Sequence, residues 1–218
     1  MKEGWDNTAD EPYIGRMSTP SFSPATLSGS TIALEPLSER HWPGLLAVGL
    51  APELWRWTID RIETTEGLRG WFEAALTAAA AGLAVPFATV YRATGQVVGS
   101  TRFANLDATN RHVEIGWTWV APAWQRSAVN AEAKYLMLCH AFDVWGCHRI
   151  ELKTDALNTR SREAMLRLGA REEGIFRMYQ VSQGGRVRDT AWYAVTERDW
   201  PEVKAGLERR LWQRPPAR

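Results

Sequence analysis

The sequence lacks several features, and each absence narrows the kinds of protein that it can encode. No stretch approaches the roughly 18 consecutive apolar residues of a membrane-spanning helix. The opening residues, MKEGWDNTADEPY, also lack the apolar segment of a signal peptide. With 26 basic and 25 acidic residues there is no basic excess, which argues against a nucleic-acid partner. We therefore predict a cytoplasmic protein that acts neither on a membrane nor on nucleic acid.

The sequence also has few of the residue patterns that disulfide bonds, metal sites or covalent catalysis require. The two cysteines, Cys139 and Cys147, lie across the end of a predicted helix, and two thiols alone rarely form a disulfide or a metal site. His112, His140 and His148 show no spacing typical of metal ligands. No cysteine or serine sits beside an obvious base that would activate it as a nucleophile. We predict no metal and no covalent enzyme intermediate.

Tryptophan, in contrast, is abundant, with 12 residues scattered along the chain. Because tryptophan carries a large apolar area, the distribution favours core and subunit-contact packing over a surface that stacks on sugars or bases. A homodimer is therefore compatible with the sequence.

Hydrophobic periodicity and turn residues predict one mixed α/β domain. Residues 1–29, rich in Ser, Thr, Pro and Gly, form an irregular arm, 30–200 the folded domain, and 201–218 a C-terminal helix and tail. The predicted helices are 38–50, 64–82, 131–146, 158–169 and 200–212. The predicted strands are 31–37, 85–93, 96–106, 111–121, 148–155, 171–182 and 186–196.

The predicted strand 111–121 alternates between large apolar residues and smaller or polar ones. This alternation places Val113, Ile115, Trp117 and Trp119 on one face of the sheet. It places Glu114, Gly116, Thr118 and Val120 on the other face.

The stretch VAPAWQRSAVNAEAK (120–134) leads from this strand into a helix, the kind of turn that can hold a phosphate. Such turns usually contain glycine, and this one has none. Arg126 supplies a cation, Ser127 a hydroxyl, and Asn130 the predicted N-cap of the helix. The spacing alone favours an ordinary turn over a phosphate site.

Three segments together resemble the GNAT superfamily of acyl-CoA-dependent N-acyltransferases: VEIGWTWV, PAWQRSAVNAEAK and ELKTDALNTRSREAMLRLGA. The closer likeness is to the branch that acetylates ribosomal-protein N-termini (RimJ/RimL type), over roughly residues 30–200. The resemblance implies a single three-layer α/β (α+β) domain with a mixed, mostly antiparallel central sheet. It also implies that this sheet splays between its fourth and fifth strands and holds the pantetheine arm of acetyl-CoA between them.

The resemblance assigns the CoA site residue by residue. The family pattern Gln/Arg-x-x-Gly-x-Gly/Ala holds the pyrophosphate; Gln125 matches its first position, and Ala128 and Asn130 replace the glycines. The backbone of residues 119–121 would polarise the thioester carbonyl, and Asn158 would contact the pantetheine. The implied CoA-binding residues are Trp119, Val120, Ala121, Gln125, Arg126, Ser127, Ala128, Val129, Asn130, Asn158 and Ser161.

Two catalytic roles follow from the same resemblance. Glu114 stands where similar family members place the carboxylate that takes a proton from the amine, and burial would make it a stronger base. Ser161 resembles a serine near the thiol, while Met165 replaces a tyrosine that often protonates the thiolate. From the residues alone, Glu114 as a solvated strand residue, Asn158 as an N-cap and Ser161 as a surface residue remain open alternatives.

Together these observations predict an N-acetyltransferase. It would move an acetyl group from acetyl-CoA to a primary amine, either a protein N-terminus or a small molecule, by direct attack and without a metal. The alternative is a catalytically weak or inactive CoA-binding protein of the same fold, because Ala128 and Met165 depart from the family pattern.

Overall fold

An open sheet of eight strands organises the protein in its computed structural model, which describes residues 19–212. Its strands lie in the order β1-β2-β3-β4-β5-β6-β8-β7, and neighbours are antiparallel except for the parallel pair β5 and β6. The strands are β1 (Leu27–Ser28), β2 (Ile32–Pro36), β3 (Ala84–Tyr91), β4 (Gln96–Asp107), β5 (His112–Val120), β6 (Arg149–Asp155), β7 (Arg171–Val181) and β8 (Val187–Thr196).

Helices cover both faces of the sheet and make the three layers that the sequence predicts. On one face α1 packs on β4 and α2 on β3. On the other face α3 contacts β2 and β5, α4 packs on β6 and β7, and α5 packs on β8. The helices are α1 (Trp42–Gly49), α2 (Thr65–Ala80), α3 (Val129–Cys139), α4 (Thr159–Leu168) and α5 (Trp200–Trp212). The predicted fold class is confirmed. None of the helices within 19–212 is long and apolar enough to cross a membrane.

Each face of the sheet has its own hydrophobic core. The α3 core includes Phe103, Ile115 and Met137, all at most 2% exposed. The core beneath α1 and α2 is built on Trp55, Trp71 and Trp119, whose ring centroids lie 5.5–6.0 Å apart. Packing as the role of tryptophan is confirmed for this cluster.

The sheet splits between β5 and β6, the predicted fourth and fifth strands. The two strands pair only at His112–Arg149, Val113–Ile150 and Glu114–Glu151. Beyond Glu114, β5 pairs with β4 and β6 pairs with β8, so the facing edges 115–120 and 152–155 diverge. We refer to the space between these two edges as the strand gap. The predicted splay is confirmed.

A β-bulge at Trp117 changes which residues of β5 share a face. Trp117 has a left-handed backbone (φ 49°), and the register with β4 shifts between Ser100 and Arg102. The extra residue reverses the alternation. Trp119 therefore packs under α1 and α2, away from Val113 and Ile115. The predicted grouping of Trp117 and Trp119 with Val113, and of Thr118 and Val120 with Glu114, is wrong because simple alternation contains no bulge.

The chain ends differ in part from prediction. Leu27 and Ser28 pair with β2, so the predicted irregular arm contains a short strand. Residues 1–18 and 213–218 of the predicted arm and tail lie outside the described residues, and the predicted domain boundaries remain predictions.

Candidate active site

Glu114 stands at the point where the strand gap begins. It forms the last residue pair between β5 and β6, and beyond it neither strand edge has a strand partner across the gap within residues 19–212. Its side chain lies on the sheet face that carries α1 and α2, opposite Val113 and Ile115. The fork of the sheet thus places the Glu114 carboxylate at the start of the gap.

Two neighbours hold the Glu114 carboxylate, and a glycine leaves space beside it. Oε2 accepts hydrogen bonds from Asn105 Nδ2 at 2.6 Å and from Lys153 Nζ at 2.9 Å. Oε1 makes no hydrogen bond within the described part of the chain and lies over Gly116, where an added Cβ would approach it to 3.1 Å. Any larger residue at this position would require the Glu114 carboxylate to shift by a few tenths of an ångström. The solvated outer-face alternative is wrong, since Glu114 is only 8% exposed.

Lys153 is itself locked in place on the same face. Its Nζ lies 3.3 Å from Glu151 Oε2 and 3.7 Å from the centroid of the Trp192 ring. Lys153, placed between two carboxylates and an indole, therefore holds the Glu114 carboxylate in a fixed position. Oε1 of Glu114 stays without a hydrogen bond among the described residues and is available to a substrate.

The far end of the strand gap meets the loop 121–128. Pro122–Trp124 form one 3-10 turn, and Ser127 Oγ donates to Trp124 O at 2.6 Å. Its left-handed residue is Arg126 (φ 63°), whereas Ala128 has ordinary helical angles (φ −70°, ψ −16°). Glycine is therefore not required conformationally at 128.

Helix α3 begins earlier than the sequence predicts. Its N-cap is Ala128, and Asn130 lies inside the first turn, so the prediction of Asn130 as N-cap is wrong. The reason is that Ser127 takes the capping contact, with its Oγ accepting from Val129 N at 3.3 Å. The amides of Asn130 and Ala131 lie in the first turn and have no acceptor in the helix, as at any helix N-terminus.

Gln125 connects this loop to α4. Its Nε2 donates to Val120 O at 2.9 Å, and its Oε1 accepts from Arg160 at 2.9 Å. The structure therefore brings the predicted loop residues and the predicted α4 residues together at the mouth of the gap. Arg126 and Arg160 are both exposed there, which makes this mouth electropositive.

Asn158 and Ser161 occupy the first turn of α4. Asn158 is the N-cap of α4, and its Oδ1 accepts a hydrogen bond from Ser161 N at 3.2 Å. The prediction that Asn158 caps this helix is confirmed. Ser161 is half-buried, and its hydroxyl makes no hydrogen bond within 19–212. Capping leaves the Asn158 amide nitrogen and the Ser161 hydroxyl available to a ligand.

The backbone of residues 119–121 offers fewer donors than predicted. The Ala121 amide donates to Val98 O on β4 at 2.8 Å and is therefore already occupied. Alternate residues of an antiparallel strand turn their N–H groups to opposite sides. The Val120 amide consequently points into the gap.

A buried carboxylate anchors the first turn of α3 to the start of β2. Glu132 is 1% exposed, and its two oxygens accept from the backbone amides of Ser30, Thr31 and Ile32 and from the Ser30 hydroxyl at 2.8 Å. These bonds satisfy amides that would otherwise be buried without partners. They also fix the turn that carries the loop amides.

Glu132→Gln should destabilise the protein by about 2–4 kcal/mol, because an amide nitrogen would then face buried N–H groups. Acetyl-CoA affinity should fall as well, since the loop amides depend on that turn. Urea unfolding and calorimetric titration measure the two effects. Glu163→Gln, at an exposed helix position, is the matched control and should change stability by less than about 0.5 kcal/mol. Equal stability of the two variants would contradict the anchoring role.

Sequence reasoning missed several polar and charged residues at this site. Asn105 and Lys153 hold Glu114, and Arg160 flanks the loop. Lys134 and Arg102 are buried near the Trp117 bulge, on opposite faces of the sheet. Arg160 could have been found as a second basic residue close to Asn158, but a buried lysine or arginine gives no signal in a hydrophobic pattern.

Lys134 is the more unusual of the two buried cations. It is 7% exposed, and its Nζ donates to Thr118 Oγ1 at 2.6 Å, with Thr101 Oγ1 at 3.4 Å. It forms no ion pair with a described carboxylate, and burial lowers its pKa to about 7.

Comparison with solved structures places this geometry among known acetyltransferases. A GCN5-related N-acetyltransferase from Brucella melitensis is 30% identical, with a TM-score of 0.83, covering 91% of this chain and 90% of that one. RimJ from Mycobacterium smegmatis, solved in complex with CoA-disulfide, is 25% identical with a TM-score of 0.70, covering 84% and 90%.

Comparison of sequences agrees with the structural likeness. The chain is 27% identical over 119 residues to the uncharacterized N-acetyltransferase p20 of Bacillus licheniformis, which is 55% of this chain and 66% of p20. The chain thus spans just under two thirds of that relative. A model of the Acetyltransferase (GNAT) domain matches residues 31–171, well over half of the sequence, and the chain therefore belongs to the GNAT acetyltransferase family.

Proposed function

We propose that this protein transfers an acetyl group from acetyl-CoA to a primary amine. The observation that carries the proposal is the strand gap, with a held carboxylate at its closed end and an electropositive loop at its mouth. A linear thioester lying in the gap would bring its acyl end to Glu114 while its phosphates stay at the mouth.

The residues present suit acetyl-CoA. The first-turn amides of α3, with Arg126 and Arg160, would hold the pyrophosphate, because a helix N-terminus and two guanidinium groups favour phosphate. Gln125 would keep the loop against α4. The Val120 amide would meet the ligand along the open edge of β5. The bound ligand supplies the activated acetyl group.

Proton transfer would fall to Glu114. An ammonium group cannot attack, so Glu114 Oε1 would take the proton of the incoming amine, directly or through water. A bond then forms between the amine nitrogen and the acetyl carbon, and the carbon–sulfur bond breaks. The thiolate leaves as CoA. The unbonded Ser161 hydroxyl would donate to that thiolate, since the Met165 side chain has no proton to give.

The proposal also covers the branch of the family, the acceptor and the assembly of the protein. We place the chain near the RimJ type because RimJ shares its fold and was solved with a CoA derivative. A protein N-terminus and a small-molecule amine both carry the primary amine that this reaction needs. A homodimer fits the exposed apolar residues of β7, including Ile175, Phe176 and Met178.

Calorimetric titration with acetyl-CoA, followed by thiol release with a panel of amines, tests the proposal. Arg126→Glu should weaken acetyl-CoA binding about 10–100-fold, because it reverses a charge beside the pyrophosphate. Its side chain is exposed, so thermal stability should not change.

The matched control is Arg198→Glu. Arg198 is also exposed but follows β8. The last residue of β8 pairs with the first residue of β6, so Arg198 lies near the opposite end of the strands from the loop. It should bind acetyl-CoA like the unmodified protein. Equal binding by both variants would remove the loop assignment. Tight binding without thiol release from any amine would favour the inactive CoA-binding alternative.

A further inference from the structure

Arg102 is a buried cation that forms no ion pair with any residue in the described range 19–212. It lies on β4 opposite Gly116 and is 7% exposed. Its guanidinium carbon lies 5.2 Å from the centroid of the Trp71 ring and 4.9 Å from that of Trp117. Within 19–212 its side chain forms no hydrogen bond and no ion pair, and its Nε is fully buried without a partner.

This arrangement is unfavourable for the isolated protein. Buried arginines are normally paired with a carboxylate, and an unpaired one loses its hydration. Burial lowers the Arg102 pKa to about 10 even though the negative charge of Asp60 acts to raise it. The two indole rings compensate through their faces but cannot accept the in-plane N–H groups. The edge of the guanidinium therefore lacks its natural partner.

The location of Arg102 relates it to Glu114. Paired residues of antiparallel strands share a face, so Arg102 lies on the same face as Gly116 and Glu114. Its pair is the next same-face pair along the strands from that of Glu114, about 7 Å away at the strand rise. Trp117, which forms one wall of the stack, is 37% exposed, so the stack reaches the surface beside the gap.

We propose that Arg102 binds a carboxylate of the acceptor, so that the acceptor is an amino acid or another small amine with a carboxylate close to its amine. This inference rests on the proposed acetyl transfer. A carboxylate matches the planar donor edge that remains between two flanking rings, because it accepts two parallel N–H bonds in that plane. The amine of such a molecule would reach Glu114 while its carboxylate stays at Arg102.

The first test needs no variant. Thiol release is measured with amino acids and with their carboxamides, which lack the negative charge. Binding of N-acetyl amino acids and their carboxamides is followed by tryptophan fluorescence, since Trp71 and Trp117 flank the guanidinium. Acids should be preferred over amides about 10–100-fold in both assays, the range of a charge-assisted hydrogen bond.

Arg102→Met tests the assignment of that preference. The ratio of acid to amide should fall close to one, while acetyl-CoA binding is kept. Its melting temperature should stay the same or rise, because removing an unpaired buried charge does not destabilise a core. Arg102→Lys retains the charge without the planar donor edge and should keep only part of the preference.

The outcomes separate this inference from the proposed function. Equal use of acids and amides by the unmodified protein would overturn the inference and leave acetyl transfer intact. The same holds if Arg102→Met keeps the acid preference. Binding of inorganic phosphate without binding of any N-acetyl amino acid would also overturn it. Acid-selective binding through Arg102 without thiol release from any amine would support a carboxylate site at Arg102 but overturn acetyl transfer, and with it the role of the bound molecule as acceptor.

Discussion

Glu114→Gln should lower kcat about 10²–10⁴-fold and leave the acetyl-CoA dissociation constant unchanged. The amide is nearly the same size but cannot accept the proton of the amine. The variant should fold, since Lys153 keeps its contacts with Glu151 and the Trp192 ring. Single-turnover thiol release and calorimetric titration measure the two quantities.

Glu151→Gln is the matched control for this result. Glu151 contacts the same Lys153 Nζ and pairs with Glu114 across the fork, yet it lies on the β6 side. Removing its charge should change kcat less than about 10-fold. The change would come from the altered electrostatic environment of Lys153 and Glu114, because Glu151 itself transfers no proton. If Glu114→Gln turns over at a nearly normal rate, or if the two variants lose the same activity, Glu114 is not the base.

Lys134→Met should remove a large pH dependence of stability. Burial lowers the Lys134 pKa from 10.5 to about 7, so between these values the unfolded chain holds a proton that the folded chain has released. Stability therefore rises with pH through this window. The contribution reaches about 5 kcal/mol, at roughly 1.4 kcal/mol for each pH unit. Below pH 7 both states are protonated and the folded state carries the full penalty of a buried charge.

The measurement is the free energy of unfolding in urea from pH 6 to 10, as the difference between the unmodified protein and Lys134→Met. The Lys134→Met variant should be more stable than the unmodified protein at pH 6, and the free energies of unfolding of the two proteins should converge toward pH 10. Thr118 and Thr101 still hydrogen-bond each other at 2.7 Å after the amine is gone.

Lys204→Met is the control because Lys204 lies at the surface, where its ion pair with Asp143 at 2.7 Å raises its pKa. Its difference curve should be shallow and of opposite sign. Parallel curves for Lys134→Met and the unmodified protein would mean that Lys134 is not desolvated.

Much of the fold could be predicted because it depends on short sequence patterns or on resemblance to a known family. The order of helices and strands follows from periodicity and from glycines that end helices, such as Gly169 after α4. The Asn158 cap is likewise encoded within a few residues, and the splay was inferred from resemblance to a family.

The rest depends on contacts between distant segments. A single extra residue at Trp117 reverses the faces of β5, and alternation cannot reveal it because each half of the strand is regular by itself. Ala128 replaces Asn130 as the N-cap because Ser127 folds back on Val129. Lys134 and Arg102 look like ordinary surface charges in the sequence, and only packing from α2 and β5 shows that they are buried.

The left-handed backbone at Trp117 lowers the stability of the protein, whereas the Trp117 side chain supports the proposed acceptor site. A tryptophan at φ 49° costs about 1–3 kcal/mol relative to a relaxed residue, whereas glycine adopts that angle without strain. Glycine, however, has no ring to cover Arg102. Directed evolution for heat resistance alone would therefore favour the loss of this indole, and a thermostable descendant selected without an activity screen would keep the sheet and discard half of the arginine's aromatic support.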